Sequence, residues 1–577
     1  MKNIDLIIHP DRIMMDIHPN ETVLHAIRRN RPGIYLESPC NGKGYCGKCK
    51  VKLLSGHVQP VSAQEQKHLS PEDLKNNIRL ACCLIPIGES EPIVIQLIEK
   101  DEKPAEVLSN YTLPEYSLNP LIQKIWYPEI GKTSYLCRGV ETAFVYGDWT
   151  AYSYGVAVDI GTTTVASTLL DLHTGQVLAK ASSVNPQTVI GGDVLSRIEY
   201  TMTNENGLAE LQSLILNRLN ELTAELIEKA GIQKEYVDCF SIAANCTMLH
   251  LLLGVNPESI AMAPYKPVFT KEHIIKASQI GLTSGSEQAM FYCLPSVSAY
   301  VGADITAGIK ITKIYEAKKN VMFIDIGTNG EIVLSLNGKL SACSCAAGPA
   351  LEGMNITCGM RAAKGAIEHI NYTGDSFKVQ TINNVPPIGI CGSGVLEAMA
   401  ALLDAGIVEP SGRISKNLSK HQESFVIREG KSTSVKIVDN EKPIVFSQND
   451  IRQVQLAKGA ILSGFTALMK AKNLDLDVLD EVIIAGQFGS YLNEETLIKT
   501  GILPESARGK VRYIGNSSLS GAILCLLDQV ASMELNQLAT NIDYFELAMF
   551  PGYTDLLMKC LKFPDSGNVS SWHQHQN

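Results

Sequence analysis

Residues 154–178, "YGVAVDIGTTTVASTLLDLHTGQVL", read as an apolar strand, a tight polar turn and a second strand ending at the turn "LHTG". Residues 321–340, "VMFIDIGTNGEIVLSLNGKL", repeat the pattern, including the tetrapeptide DIGT. One DIGT is an ordinary β-turn as readily as a site. Two strand–DIGT–strand hairpins in one long region predict an internally duplicated α/β fold. Asp159 and Asp325 each end an apolar strand, a costly place for a carboxylate unless a cation or strong donors meet it, and hydrated Mg2+ meets that need. Gly161 and Gly327 permit backbone approach to phosphate, while Thr162, Thr163, Thr328 and Asn329 add hydroxyl and amide donors. These are phosphate turns without a Walker lysine, since the chain contains no G-x4-G-K-[ST].

Two further segments fit a nucleotide. "GICGSGVLEAMAALLDAGI" places Gly392, Ser393 and Gly394 at the start of an apolar helix, where free N–H groups and the helix dipole favour phosphate. "EVIIAGQFGSYLN" puts Gly486 and Gly489 after a buried strand, suited to a flat adenine and its ribose. Helix packing alone is the competing reading of either glycine pair. Asp304, in "YVGADITAG", and Glu331, after "DIGTNG", are candidates to orient an attacking water, each equally readable as a helix or turn carboxylate. In this order the segments resemble the sugar kinase, heat-shock cognate and actin superfamily over residues 151–577.

Upstream, "IDLIIHPDRIMMDIHPNETVLHAIRRN" predicts two short strands joined near Pro10, then a helix from about Asn20 or Glu21. "CNGKGYCGKCK" follows with Cys40, Cys46 and Cys49, then the strand-like "CKVKLLSG", and "IRLACCL" supplies Cys82 and Cys83. Four thiolates at C-x5-C-x2-C…C suit zinc or a [2Fe–2S] cluster. A zinc ribbon shows two matched knuckles, whereas here one loop offers three ligands and a distant residue completes the set. Gly42, Gly44 and Gly47 let the loop wrap so that backbone N–H groups point at cluster sulfurs. Residues 1–98 resemble β-grasp ferredoxins, with one residue more in the first gap than the plant type, as in adrenodoxin-like members. That resemblance picks Cys82 as the fourth ligand, with Cys40, Cys46 and Cys49, and leaves Cys83 a packed neighbour.

At 577 residues the chain exceeds one core, and a prior of roughly 150 residues per domain allows about three to four. Its 45% hydrophobic and 19% charged residues, without a membrane-length apolar run, describe a soluble globular protein. His9, Pro10 and Asp11 interrupt any signal-peptide core, so a reducing cytoplasm is expected. A net charge of −10 argues against nucleic acid or an anionic membrane as partner. His573 and His575 lie in a polar tail that reads as a fraying terminus rather than a metal site. The predicted class is α+β and α/β multidomain: a β-grasp ferredoxin domain over 1–98, a linker over 99–115, a small intermediate segment over 116–150, and a duplicated ribonuclease-H-like ATPase over 151–577.

The motifs between these landmarks are narrower: "NPQTVIGGDVLSRI" (185–198), "AANCTMLHLLLGV" (243–255), "PYKPVF" (264–269), "AAGPALEGMNI" (346–356) and "DIRQVQLAKGAI" (450–461). With the ferredoxin module in front, the chain resembles the reductive activators of corrinoid-dependent methyltransfer proteins, found in anaerobic metabolism. The resemblance implies an ATP-dependent one-electron reductase that returns Co(II) corrinoid to Co(I), with a [2Fe–2S] cluster, ATP and Mg2+ as cofactors. It implies a corrinoid protein and an upstream low-potential electron donor as partners. It also implies homodimer contacts carried by a middle domain, for which residues 116–150 are short. Lys364 stands where the family leads one to expect proline. The loop "SACSCAAGPALEG" follows the second phosphate hairpin, and the hydroxyl of Ser344 is a corrinoid-contact candidate there, against the reading that "AAGP" merely packs a turn. A rival reading of another class is a small-molecule kinase with a redox-sensing ferredoxin domain.

Overall fold

The computed structural model describes residues 4–10, 12–30, 36, 38, 42–44, 47–87, 91–98, 112–430, 432–486 and 492–565. Cys40, Cys46, Gly489, His573 and His575 lie outside these described residues.

The N-terminal region is a five-stranded sheet. β1 (Ile4–His9) and β2 (Ile13–Ile17) form the hairpin expected around Pro10, with Ile8 opposite Ile13. Ile4, Leu6 and Ile8 alternate inward, the period of a half-buried strand. The helix Val23–Asn30 lays Val23, Leu24, Ala26 and Ile27 on the sheet and places Arg28 and Arg29 at its electronegative end. Ile27 is 1% exposed, and truncating it to Ala would cost about 2–5 kcal/mol. β3 (Lys50–Ser55), β4 (Ile78–Leu80) and β5 (Ile93–Leu97) complete the order β2-β1-β5-β3-β4, in which β1 and β5 are parallel. This is the β-grasp arrangement, and Cys49 and Cys82 belong to its core.

Next comes an antiparallel meander, β6 (Ile122–Tyr127), β7 (Lys132–Cys137) and β8 (Val140–Tyr146). Its inner side contributes Ile122, Tyr135 and Cys137 to the large core that follows. A buried Lys124–Asp238 pair at 2.7 Å and a two-pronged Arg138–Glu272 pair at 2.7 and 2.8 Å fix it there. Its outer side exposes Ile125, Tyr127, Phe144 and Tyr146.

Two six-stranded sheets then repeat one five-strand topology, the sixth strand joining at opposite edges, Asp543–Tyr544 beside Lys339–Cys345 in the second. The first uses β9 (Tyr154–Ile160), β10 (Thr164–Asp171), β11 (Val177–Val184), β12 (Val237–Ala244), β13 (His273–Lys276) and β14 (Met290–Cys293), in the order β11-β10-β9-β12-β14-β13. The second starts with β15 (Asn320–Ile326), β16 (Gly330–Leu336) and β17 (Lys339–Cys345), ordered β17-β16-β15, and continues with Glu481–Ala485 and Val511–Gly515. In both halves the DIGT strand lies central, antiparallel to its hairpin partner and parallel to the strand on its other side. The duplication expected from the two hairpins is thus a duplication of sheets.

The helix Ser517–Leu527 is buried along its whole length and packs on β9, β12 and the helix Ala303–Thr312. Contact with that helix is close enough that a Cβ on Gly521 would stand 2.4 Å from Ala307 Cβ. A larger residue at 521 would force the helices apart. Among the described residues no helix is long and apolar enough to cross a membrane.

Candidate functional site

Asp159 is the penultimate residue of β9, in register with Ala243 of β12. Burial raises its carboxyl, and two donors oppose that effect: Asn516 Nδ2 at 2.9 Å and Ser518 Oγ at 2.7 Å, both at the start of the buried helix. In the turn after Asp159, the segment 185–197 satisfies three successive carbonyls. Gly161 O accepts from Asn185 Nδ2 at 2.8 Å, Thr162 O from the Arg197 guanidinium, and Thr163 O from the Asn185 backbone at 2.8 Å. One segment thus satisfies the buried carbonyls of the whole turn. Arg197 is fully buried and also donates to Gly191 O at 3.0 Å and Gln187 Oε1 at 3.1 Å. Desolvation lowers it to about 9. Thr162 Oγ1 accepts from Asn245 Nδ2 at 3.2 Å.

The second turn is built differently. Asp325, Glu331 and Ser344 are directly paired across β15, β16 and β17, so their side chains share one face of the sheet. Asp304 lies in the first turn of the helix Ala303–Thr312. Burial, then the Asp159 charge, push Asp304 up to about 7. Burial, then Asp304 and Asp159, push Asp325 up to about 8. Glu331 is raised furthest, by burial and then by Asp304 and Asp325. The four sequence-predicted carboxylates thus meet in one electrostatically coupled cluster. Carboxylates buried among like charges hold their protons more tightly than exposed ones. Among the described residues no three His, Cys, Asp or Glu side chains form a ready cage for a metal.

The glycines expected around a nucleotide have packing roles as well. Gly486 has φ +97°, and a Cβ there would stand 2.7 Å from Asp325 Oδ1. Gly394 lies in the first turn of the helix Gly392–Asp404, where a Cβ would stand 2.2 Å from Ile367 O. Between them, Ser393 Oγ donates to Glu368 O at 3.2 Å. Gly327 N–H donates to Asn329 O at 2.9 Å, closing the second turn.

Glu352 was not singled out from the sequence, although the quoted "AAGPALEGMNI" contains it. It accepts from Thr163 Oγ1 at 3.2 Å and Thr328 Oγ1 at 2.5 Å, joining the two phosphate turns. Asn516 and Ser518 were missed too. The available signal was "GNSSLSGA", a glycine and helix-capping residues at the mouth of an apolar helix.

At the N-terminal loop, Gly42, Gly44 and Gly47 have φ of +77°, +76° and +65°, the left-handed backbone that tight wrapping requires. Cys82 and Cys49 are close enough for hydrogen bonding between their sulfurs, and that contact, then burial, raise the Cys82 thiol. Cys83 Sγ lies 3.8 Å from Cys82 Sγ. These residues fit the [2Fe–2S] expectation: two of the four proposed ligands stand together beside a glycine-wrapped loop. The loop faces the first half of the nucleotide region, with Lys43 Nζ 3.4 Å from Glu199 Oε2 and Ser38 Oγ donating to Val189 O at 3.5 Å.

Ser344 opens onto a groove of about 610 Å3 lined by Cys345, Ala346, Glu546, Tyr553 and Asp555 among others.

Comparison with known proteins matches three models: a 2Fe-2S iron-sulfur cluster binding domain over residues 6–86, the RACo middle region over 154–317, and the C-terminal domain of RACo, the ASKHA domain, over 319–574. The corrinoid activation enzyme RamQ of Eubacterium limosum is 34% identical over 423 residues, 72% of this chain and 71% of RamQ. The [Co(II) methylated amine-specific corrinoid protein] reductase of Methanosarcina barkeri is 22% identical over 430 residues, 69% of this chain and 74% of its own. Among solved structures, a reductive activator for corrinoid, iron-sulfur protein superposes with a TM-score of 0.71 at 30% identity, covering 98% of this chain and 99% of that one.

Proposed function

Because the chain belongs to the family of corrinoid reductive activators that join a 2Fe-2S domain to RACo domains, we propose that it uses ATP to drive one-electron reduction of Co(II) corrinoid on a partner protein to Co(I). The observation that carries this reading is a cluster-type cysteine loop, paired through Lys43 to Glu199 of the duplicated fold, in one chain with a set of coupled carboxylates. A [2Fe–2S] cluster held by Cys40, Cys46, Cys49 and Cys82 supplies electrons singly. Plant-type centres lie near about −400 mV, and a one-electron gap to a lower acceptor costs about 1.4 kcal/mol per ~59 mV. Nucleotide offsets such a gap when it favours one arrangement of protein and partner over another.

The residues divide this work. Asp325 and Asp159 would hold Mg2+, and Thr162, Thr163, Thr328 and Asn329 would donate to phosphate. Gly161 and Gly327 keep the turns low, Gly392, Ser393 and Gly394 offer a helix start, and Gly486 and Gly489 flank the base. Asp304 takes the proton of the attacking water, and Glu331 orients it. Ser344, at its groove, presents a hydroxyl to Co(II) and releases it once Co(I), which disfavours axial ligands, has formed. A low-potential protein would be the donor of each electron to a cluster held by those cysteines. A second copy covers the apolar outer side of β6–β8, where Ile125, Tyr127, Phe144 and Tyr146 are exposed. The whole system operates in the cytoplasm.

The test mixes the anaerobically reconstituted full chain with a candidate corrinoid protein, Mg-ATP and a reductant, and follows the cobalt spectrum. ATP-dependent Co(II) loss and partner-stimulated ATPase are expected. Ser344→Ala should keep basal ATPase and slow cobalt reduction about tenfold, with an altered Co(II) spectrum of the complex. ATP consumption that requires a small polar acceptor, with no effect of any corrinoid protein, would favour a kinase instead.

A further inference from the structure

Glu352 occupies the place where a nucleotide phosphate is expected. Its two carboxylate oxygens accept one hydroxyl from each half of the duplicated fold, Thr163 Oγ1 at 3.2 Å and Thr328 Oγ1 at 2.5 Å. A threonine hydroxyl has a single hydrogen to give. While it donates to Glu352, it cannot donate to a phosphate. The carboxylate is also an anion between two turns that must receive a polyanion, in a desolvated cleft where such repulsion is strong. Burial raises the Glu352 carboxyl, and the two threonines and then the Arg361 charge oppose that effect.

The residue is firmly attached to the Ser344 groove. Glu352 ends the short helical turn Pro349–Glu352. At the other end of that turn, Gly348 N–H donates to Thr328 O at 2.8 Å and Ala347 N–H to Cys345 O at 3.1 Å. Gly353 follows with φ +76°, where a Cβ would stand 2.5 Å from Met360 O, so the segment has little room to flex around the carboxylate. Residues 346–353 thus connect Glu352 to the groove, which Ser344, Cys345 and Ala346 line.

We propose that Glu352 is an internal phosphate surrogate, a positioning residue that clasps the two phosphate turns together in the nucleotide-free protein. Nucleotide phosphates displace it, and the displaced segment reshapes the groove beside Ser344. Occupancy of the cleft is thereby reported on β17, two strands from Asp325, without a ligand common to both sites. This inference rests on the nucleotide reading above.

The experiment uses the full chain with its cluster reconstituted and measures binding of a non-hydrolysable Mg-ATP analogue by equilibrium dialysis. Hydrogen exchange of peptides covering 344–354 is followed in parallel. Glu352→Gln, which removes the charge, should bind the analogue at least tenfold more tightly than the wild type. Its nucleotide-free 344–354 exchange should already resemble that of the nucleotide-bound wild type. Glu352→Asp, which keeps the charge on a shorter stem, should lie between them, and an unchanged melting temperature and visible spectrum establish that both variants fold. Weaker binding by Glu352→Gln overturns the proposal and makes the carboxylate part of the Mg-nucleotide site. Unchanged affinity with unchanged exchange overturns the clasp and leaves the nucleotide reading standing. A wild type that binds no analogue overturns both.

Discussion

Buried carboxylates in the N-terminal module and in the cleft have opposite fates. Burial alone would raise Glu21, but Arg29, the His18 N–H and His25 outweigh it and hold the carboxyl down at about 2. Glu65 is likewise penalised by burial and likewise ends below its ordinary value, because Arg79 and the N–H groups of Ser62 and Leu80 surround it. In the cleft, Asp304, Asp325 and Glu331 are desolvated more fully and meet one another instead of an arginine, so all three rise, burial first and like charge second. Both depth and company differ. An acid closed off by an internal base is finished as structure, whereas acids left with like-charged neighbours keep a debt that only something from outside can settle.

The comparison breaks most visibly at the cysteines. Cys82→Ser should abolish iron binding and visible absorption altogether while Cys83→Ser keeps both; the reverse outcome would move the fourth ligand by one residue. Replacing either cleft aspartate comes next. Asp159→Ala and Asp325→Ala should each lower ATPase about 10²–10³-fold with the cluster spectrum intact, and turnover equal to wild type would remove the nucleotide assignment.

On the ferredoxin side the corresponding change costs stability rather than turnover. Arg79→Met leaves Glu65 buried without its cation and should destabilise the module by about 3–5 kcal/mol, read as earlier loss of cluster absorbance in a denaturant titration. Glu65→Gln together with Arg79→Met should recover much of that loss.

The smallest effect separates the regions by pH. Asp325 holds its proton up to about 8 when folded and releases it at an ordinary 3.8 when unfolded. Between those values the folded state binds more protons, so the nucleotide-free cleft should lose stability as pH rises. Glu21 titrates at about 2 folded against 4.5 unfolded, and its contribution, present above 4.5, should fade as pH falls toward 2. Above about pH 5 Glu21 is ionised in both states and contributes no slope. Melting should therefore show the large region, followed by far-UV circular dichroism, losing stability toward pH 8 while Glu21 adds no such loss to the module, followed by cluster absorbance. Parallel slopes would mean that the two sets of acids do not differ as described.

Much of this was legible in local pattern. Asp159 and Asp325 announced themselves as carboxylates ending apolar strands, and the hairpin around Pro10 followed from its flanking alternation. What stayed hidden depends on distance in the chain. No spacing rule links Asp159 to Asn516 and Ser518, or Thr163 to Glu352. Arg197 is equally silent, because an arginine in a polar-looking helix gives no sign that it will be fully buried among carbonyls. Gly394 and Gly486 show the converse problem: a glycine marks close approach without saying whether the visitor is a ligand or, as with Ile367 O and Asp325, the protein itself.

The bond between Asp159 and the residues at the mouth of the buried helix also sets a timetable for biosynthesis. Asn516 and Ser518 lie 357 and 359 residues beyond the aspartate. A ribosome adding roughly 5–20 residues per second takes about 20–70 s to cover that stretch. Throughout that interval β9 and β12 lack the helix that seals them, and the nascent first sheet offers an open apolar face to chaperones. The ferredoxin module, whose contacts close within its own first hundred residues or so, can be complete long before. Each molecule is therefore born with its electron-carrying end mature and its nucleotide-binding end pending, and a transcript cut short before residue 516 yields the first without the second.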